Sequence, residues 1–252
     1  MILLVCIYWD FLLDLLQLGI TSLSNKFPTM IATINTIFLL AWTENYIYEF
    51  ESKDKEKYYS ECLQNFTVVI ILICSIILPA VKTYFELFIN VEYRQAVGLV
   101  PIMFVAMIFN ASASFLGTVY TASMKTKDAF FTTIVAAIAN IILAIILIPL
   151  LSIYGYALAN TISYIIFYIV RKKSVNKILK VKENYKKYVI PILFFIGTTI
   201  IYYIGNYLFN IICEIIVLGM IFKIYFKEII KIYGKIKNTS ITSKKIRGMI
   251  ND

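Results

Sequence analysis

The chain of 252 residues contains no histidine. That removes the commonest general base and every imidazole metal site at once. Charge is scarce as well: 15% of the residues are Asp, Glu, Lys or Arg, against roughly 25% in a soluble domain. None of these four types occurs between Asp128 and Arg171, a gap of 42 residues. Cysteine is limited to Cys6, Cys62, Cys74 and Cys213. They are scattered in or beside apolar segments without CxxC spacing, which fits small packing residues and neither a disulfide framework nor a zinc site. Proline numbers five. Pro28, Pro101, Pro149 and Pro191 fall near the ends of apolar runs, where proline costs least; Pro79 lies inside one, where it predicts a kink. The chain has no GxSxG, Gly-rich phosphate loop, HExxH or DxD motif. Its loops are too small to build an aqueous cleft for acid–base chemistry. No enzyme, cofactor or metal site is expected.

What the chain does have is apolar length. Hydrophobic residues make up 60% of it, with 19 tyrosines and 18 phenylalanines. A helix rises about 1.5 Å per residue and a bilayer core is about 30 Å thick, so roughly 20 residues cross once. The 42-residue gap therefore reads as two crossings with a turn at Pro149 to Gly155. A soluble helix pair would carry charges on its exposed face. The fold class expected is an all-α, polytopic membrane bundle of about eight transmembrane helices. The segments are about 2–20, 27–50, 63–88, 97–122, 129–149, 153–172, 188–205 and 208–227. Asp10 and Asp14 make the first of these the least apolar at its start, and Glu214 and Lys223 do the same for the last.

The net charge of +9 is a topology signal rather than a mark of nucleic-acid binding. With a cytoplasmic amino terminus and eight crossings, 21 of the 24 Lys and Arg residues fall on the cytoplasmic side. Lys26, Lys82 and Arg94 remain outside. This is the positive-inside pattern, assisted by anionic lipid headgroups. It places both termini in the cytoplasm, with a basic connector after the sixth segment and a basic tail over 228–252. The amino terminus lacks the cationic start of a signal peptide and carries two aspartates.

Polar residues at membrane depth are the candidate functional groups. Each ionisable one costs about 2.5 kcal/mol or more at a helix centre unless it meets a cavity or a partner. Asp10 and Asp14 are four apart and share a helix face. Lys26 stands at the outer end of the second segment and Glu44 lies deep within it. These four and Asn140 are the candidates for a transport cavity or ion coupling. The competing reading is side chains that snorkel to the interface, and for the amides Asn35, Asn110, Asn140 and Asn160, hydrogen bonding between helices. Ala113, Gly117 and Thr121, and again Gly155, Ala159 and Ser163, form small-residue stripes that let helices approach closely.

Several stretches resemble a known family. "SNKFPTMIATINTIFLLAWTENYIYE", then "YYSECLQNF", "EYRQAVGLVPIMF" and "SFLGTVYTASMKTKDAFFTTIVAAIANIILAIILIPLLSIYGYALANTISY" are similar, in order and spacing, to the carboxy-terminal half of Wzx-type polysaccharide flippases. Those belong to the MATE-related MOP superfamily. The last stretch looks like the family's paired helices, one ending at a proline and the next opening with Gly-x-Ala-x-Ala, here Gly155, Ala157 and Ala159. The resemblance covers roughly residues 20 to 175. It implies the second lobe of a transporter, a six-helix bundle over 1–175, with two further helices and their connector over 176–227. It implies a cell-membrane protein that moves an undecaprenyl-diphosphate-linked oligosaccharide across the bilayer for surface polysaccharide synthesis, coupled to protons or sodium. The expected partners are the lipid-linked substrate, membrane lipids, and either a first lobe supplied separately or a second copy. Phe11 follows Asp10 where family members often have arginine. A cation-coupled exporter of the same superfamily and a non-transporting half-transporter are the alternatives.

Overall fold

The structure, a computed structural model, describes residues 15–49, 54–206, 208–212, 214–220 and 223. Six long helices account for most of them: α1 (Leu15–Glu49), α2 (Lys55–Phe88), α3 (Gln95–Ala122), α4 (Thr126–Leu151), α5 (Ile153–Val175) and α6 (Lys186–Ile204). A single 3₁₀ turn, Val91–Tyr93, precedes α3. Five of these spans are long and apolar enough to cross a membrane: α2, α3 with its preceding turn, α4, α5 and α6. The described residues thus form an all-helical, membrane-embedded bundle.

The centre of the bundle is α3. It packs on α1, α2 and α5, and more lightly on α4. Ala96, Leu99, Val100, Phe104, Phe115 and Leu116 on it are fully buried. On one side α2 pairs with α6; on the other, α4 and α5 form a hairpin. The hairpin turn is a single residue, Ser152, at φ 52°. Gly155 sits under it, where a side chain would strike the Leu147 carbonyl oxygen. The stripe Gly155, Ala159 and Ser163 is buried as expected, and faces Ala144 and Ile148 of α4. α4 buries only one row, Thr132, Ala136, Asn140, Ala144 and Ile148. The four-residue spacing is that of one narrow helical face. Most of the rest of α4, from Phe130 and Phe131 to Leu150, is apolar and exposed or half-buried. An apolar exterior of that extent belongs in lipid.

One expectation is corrected. The first two segments were expected to end at residue 20 and restart at 27, but residues 15–49 form one helix of 35 residues, about 52 Å long. The polar run at 21–25 does not break it. Thr21 and Ser24 donate back to carbonyls three or four residues earlier, and Thr29 does so to Asn25 just past Pro28. Such hydroxyl bonds occupy helix carbonyls around a proline and let a buried helix continue. α2 likewise continues through Pro79 and starts at Lys55, eight residues ahead of the expected 63. Of the expected final span, residues 208–212 and 214–220 are helical, and Val217 packs with Val68, Leu72 and Tyr188. Five candidate spans are present among the described residues, where about eight crossings were expected of the whole chain. Asp10 and Asp14 lie outside those residues.

Side-chain contacts gather the lysine-rich helix ends together. Tyr59 near the start of α2 donates to the Phe115 carbonyl near the end of α3. Gln64 reaches Lys182 in the connector before α6. At the opposite end, Gln17 of α1 accepts from Ser152 at the hairpin turn. Lys82 Nζ donates to the Tyr202 and Gly205 carbonyls at 2.5 and 2.7 Å, capping α6 with a cation where the helix dipole is negative. Reporters placed after Lys180 and at Asn206 are expected on opposite sides of the membrane, since α6 runs between them. Finding both on one side would remove α6 as a crossing.

Candidate functional site

α1 differs from the other five helices. It reaches both ends of the bundle, yet it is not among the five apolar spans. Its buried side carries Ile20, Ser24, Pro28, Ile31 and Asn35. The far side exposes Ser22, Lys26, Thr29, Thr33 and Thr36, a strip at alternating spacings of four and three that one helical face produces. Met30, Ile34 and Ile37 border it and are exposed too. The Thr29, Thr33 and Thr36 hydroxyls donate to carbonyls one turn back at 2.7, 3.0 and 2.9 Å. Their oxygens stay open as acceptors for an outside donor. This is a polar strip at membrane depth with no part of the described chain covering it. The exposed sides of α4 and α6, by contrast, are lined with Ile, Leu, Val and Phe.

Of the residues expected in the site, Lys26 lies on this strip, exposed near the hairpin-turn end. Glu44 belongs to the same helix near the basic end. Asn140 is elsewhere. It is 2% exposed, wedged between α4 and α5, where its Nδ2 donates to Ser163 Oγ at 2.9 Å and Asn160 Oδ1 at 3.3 Å. Asn160 in turn donates to the Tyr156 carbonyl, and Asn25 of α1 donates to the Tyr156 hydroxyl. A thread of amides thus ties α4 through α5 to α1, next to Lys26. Asn140 holds helices together, as the packing reading of the mid-helix amides expects. Asn35 is buried and its Oδ1 has no partner among the described residues.

The residue that charge counting passed over is Arg171. It is 9% exposed, near the end of α5. Its guanidinium donates to the Ala113 carbonyl at 3.0 Å and to Thr133 Oγ1 at 3.4 Å. It lies 4.3 Å from the Phe167 ring centroid and 5.8 Å from that of Tyr120. Nε has no partner among the described residues, nor has the Tyr120 hydroxyl. No carboxylate pairs with it among those residues; the ion pair present is Lys172–Glu183. Gly117 makes the seat: a Cβ there would stand 3.0 Å from Nη1. Two sequence signals point to this. Ala113 and Gly117 clear a space on α3, and Phe167 precedes Arg171 by one helical turn.

Around it the basic end is closed by aromatics. Trp42, Tyr46, Tyr59 and Phe115 pack ring against ring, two pairs stacked and two tilted, with centroid separations between 4.7 and 6.1 Å. Such pairs add roughly 0.5–1.5 kcal/mol each beyond their burial. These aromatics pack the interior of that end, while the strip on α1 is an open polar face along the length of the bundle. The MATE-related likeness noted in the sequence has no counterpart in direct comparison. Family models, curated proteins and solved structures all give no match to the chain. Fold and site together define a membrane-embedded helical bundle with a polar face that none of the described residues covers.

Proposed function

We propose that the chain forms the carboxy-terminal portion of a flippase that carries a lipid-linked oligosaccharide across the cell membrane, with α1 lining the path. The observation that carries this reading is the strip of Ser22, Lys26, Thr29, Thr33 and Thr36, which no part of the described chain covers. A polar helix face at bilayer depth costs free energy against acyl chains, and it is retained where it meets water, substrate or a second lobe. Hydroxyls suit sugar hydroxyls, which both donate and accept. Lys26 supplies positive charge for a diphosphate. The single-residue α4–α5 turn with Gly155 beneath it supports the resemblance to the paired helices of that family. Alternating access would come from rocking this bundle against a first lobe.

The test is restoration of surface polysaccharide in a strain lacking its flippase. The full chain is expected to restore it together with a first lobe from a related transporter and not alone. Replacing Thr29 and Thr33 by leucine is expected to abolish that rescue while the chain still reaches the membrane. Rescue that survives the leucines removes α1 from the path. Absence of rescue with every first lobe tried, at normal membrane levels, removes the flippase reading.

A further inference from the structure

The basic end holds a groove of about 580 Å³ between the first turns of α2, the connector after α5 and the start of α6. Its walls are fixed. The Lys182 N–H donates to Ser60 Oγ at 3.0 Å, and Gln64 Nε2 donates to the Lys182 carbonyl at 3.1 Å. Ser60 and Gln64 are both buried. Lys57, Lys180, Lys182 and Lys187 line the groove. Asp54, Glu56 and Glu61 line it too. Among the described residues none of these seven takes part in an ion pair. Charges of both signs face one space without satisfying each other. Below them the same two helices turn apolar. Val69 follows Glu61 by two turns on α2, and Ile190 follows Lys187 by about one turn on α6; both are exposed.

We propose that this groove holds the headgroup of a zwitterionic phospholipid carrying a phosphate and a primary ammonium, with its acyl chains against the exposed apolar residues of α2 and α6. The inference rests on the membrane-embedded fold and is independent of the flippase reading. The lysines offer charge-assisted bonds to phosphate oxygens. Glu56 Oε1 accepts the Lys180 backbone N–H at 3.4 Å, but no cation pairs with the three carboxylates among the described residues, and a primary ammonium brings three N–H groups where a trimethylammonium brings none. A purely anionic headgroup would set its phosphate against three carboxylates. A purely cationic ligand would meet four lysines. Only a headgroup with both charges answers both sets.

The experiment titrates the purified full chain in mild detergent with dioctanoyl phosphatidylethanolamine, phosphatidylcholine and phosphatidylglycerol, and counts bound lipid by native mass spectrometry. Phosphatidylethanolamine is expected to be retained about tenfold more tightly than either of the others. The triple variant K180Q/K182Q/K187Q is expected to lose that retention. The double variant E56Q/E61Q is expected to swing the preference to phosphatidylglycerol. Equal retention of the three lipids, or a preference that neither variant changes, overturns the proposal. Preference for phosphatidylglycerol in the unaltered chain assigns the groove to anionic lipid and overturns it as well. Should a variant fail to fold, Asn184→Cys in an otherwise intact groove supplies the reading. Its maleimide labelling is expected to slow in vesicles containing phosphatidylethanolamine relative to phosphatidylcholine alone, and equal rates refute the assignment.

Discussion

Gly155→Ala is expected to be among the most damaging single-methyl additions in the described chain. The new Cβ would meet the Leu147 carbonyl and, at 2.9 Å, the Ile148 Cα. Both are backbone atoms, so no rotamer change relieves the overlap. Only opening the α4–α5 hairpin does, and that pulls Asn140 from Ser163 at the far side of the interface. Overpacking costs typically about 1–3 kcal/mol, and a contact with rigid backbone belongs at or above the top of that range. The measurement is the unfolding midpoint in mild detergent, with Gly197→Ala as control, because Gly197 has nothing within 4 Å of the added atom. The control is expected to be neutral or slightly stabilising, since alanine is the better helix former by about 1 kcal/mol. Equal midpoints for the two variants would show that α4 and α5 do not touch at this turn.

The second large effect is at Arg171, and its sign depends on the replacement. Arg171→Ala removes the stacked guanidinium and leaves a cavity between α3, α4 and α5; such truncations cost about 2–5 kcal/mol. Arg171→Lys keeps the charge but loses the planar stacking and the two-headed reach to Ala113 and Thr133. It also sets a strongly hydrated ammonium where no carboxylate pairs with the native cation. Arg171→Met fills the space with an apolar chain and leaves no buried charge; exchanges of this kind are often neutral or stabilising. The expected order of melting temperature is therefore Met at or above the native residue, with Lys and Ala well below. If Met falls as low as Ala, the guanidinium contributes net stability through its hydrogen bonds, and the desolvation argument fails.

The all-helical, membrane-spanning class was legible because composition alone carries it: 42 residues without charge admit no soluble alternative. The α4–α5 turn was legible from Pro149 and Gly155, and the small-residue stripe on α5 from its four-residue spacing. The continuity of α1 was not. Thr21, Ser24 and Asn25 read locally as a loop ahead of a helix start at Pro28, and their hydroxyl back-bonds and the Asn25–Tyr156 contact become visible only once the neighbouring helix is in place. Arg171 was hidden for a related reason. A cation beside Lys172 and Lys173 is indistinguishable in sequence from an interfacial one, and only the space at Gly117 buries it. Asn140 was visible as an oddity in an apolar helix, but its partners Asn160 and Ser163 lie 20 and 23 residues on, and pairing them requires the tight turn.

That one-residue turn also bears on how the chain enters the bilayer. Ser152 alone separates Leu151 from Ile153, so α4 and α5 are expected to enter the bilayer together as a helical hairpin. The amide of Asn140, costly against acyl chains on a lone helix, then arrives already bonded to Asn160 and Ser163. Lengthening the link with a flexible Gly-Ser segment would let α4 enter first and present that amide bare to lipid. The bonds that hold the mature pair together thus also make the pair the smallest unit the membrane accepts.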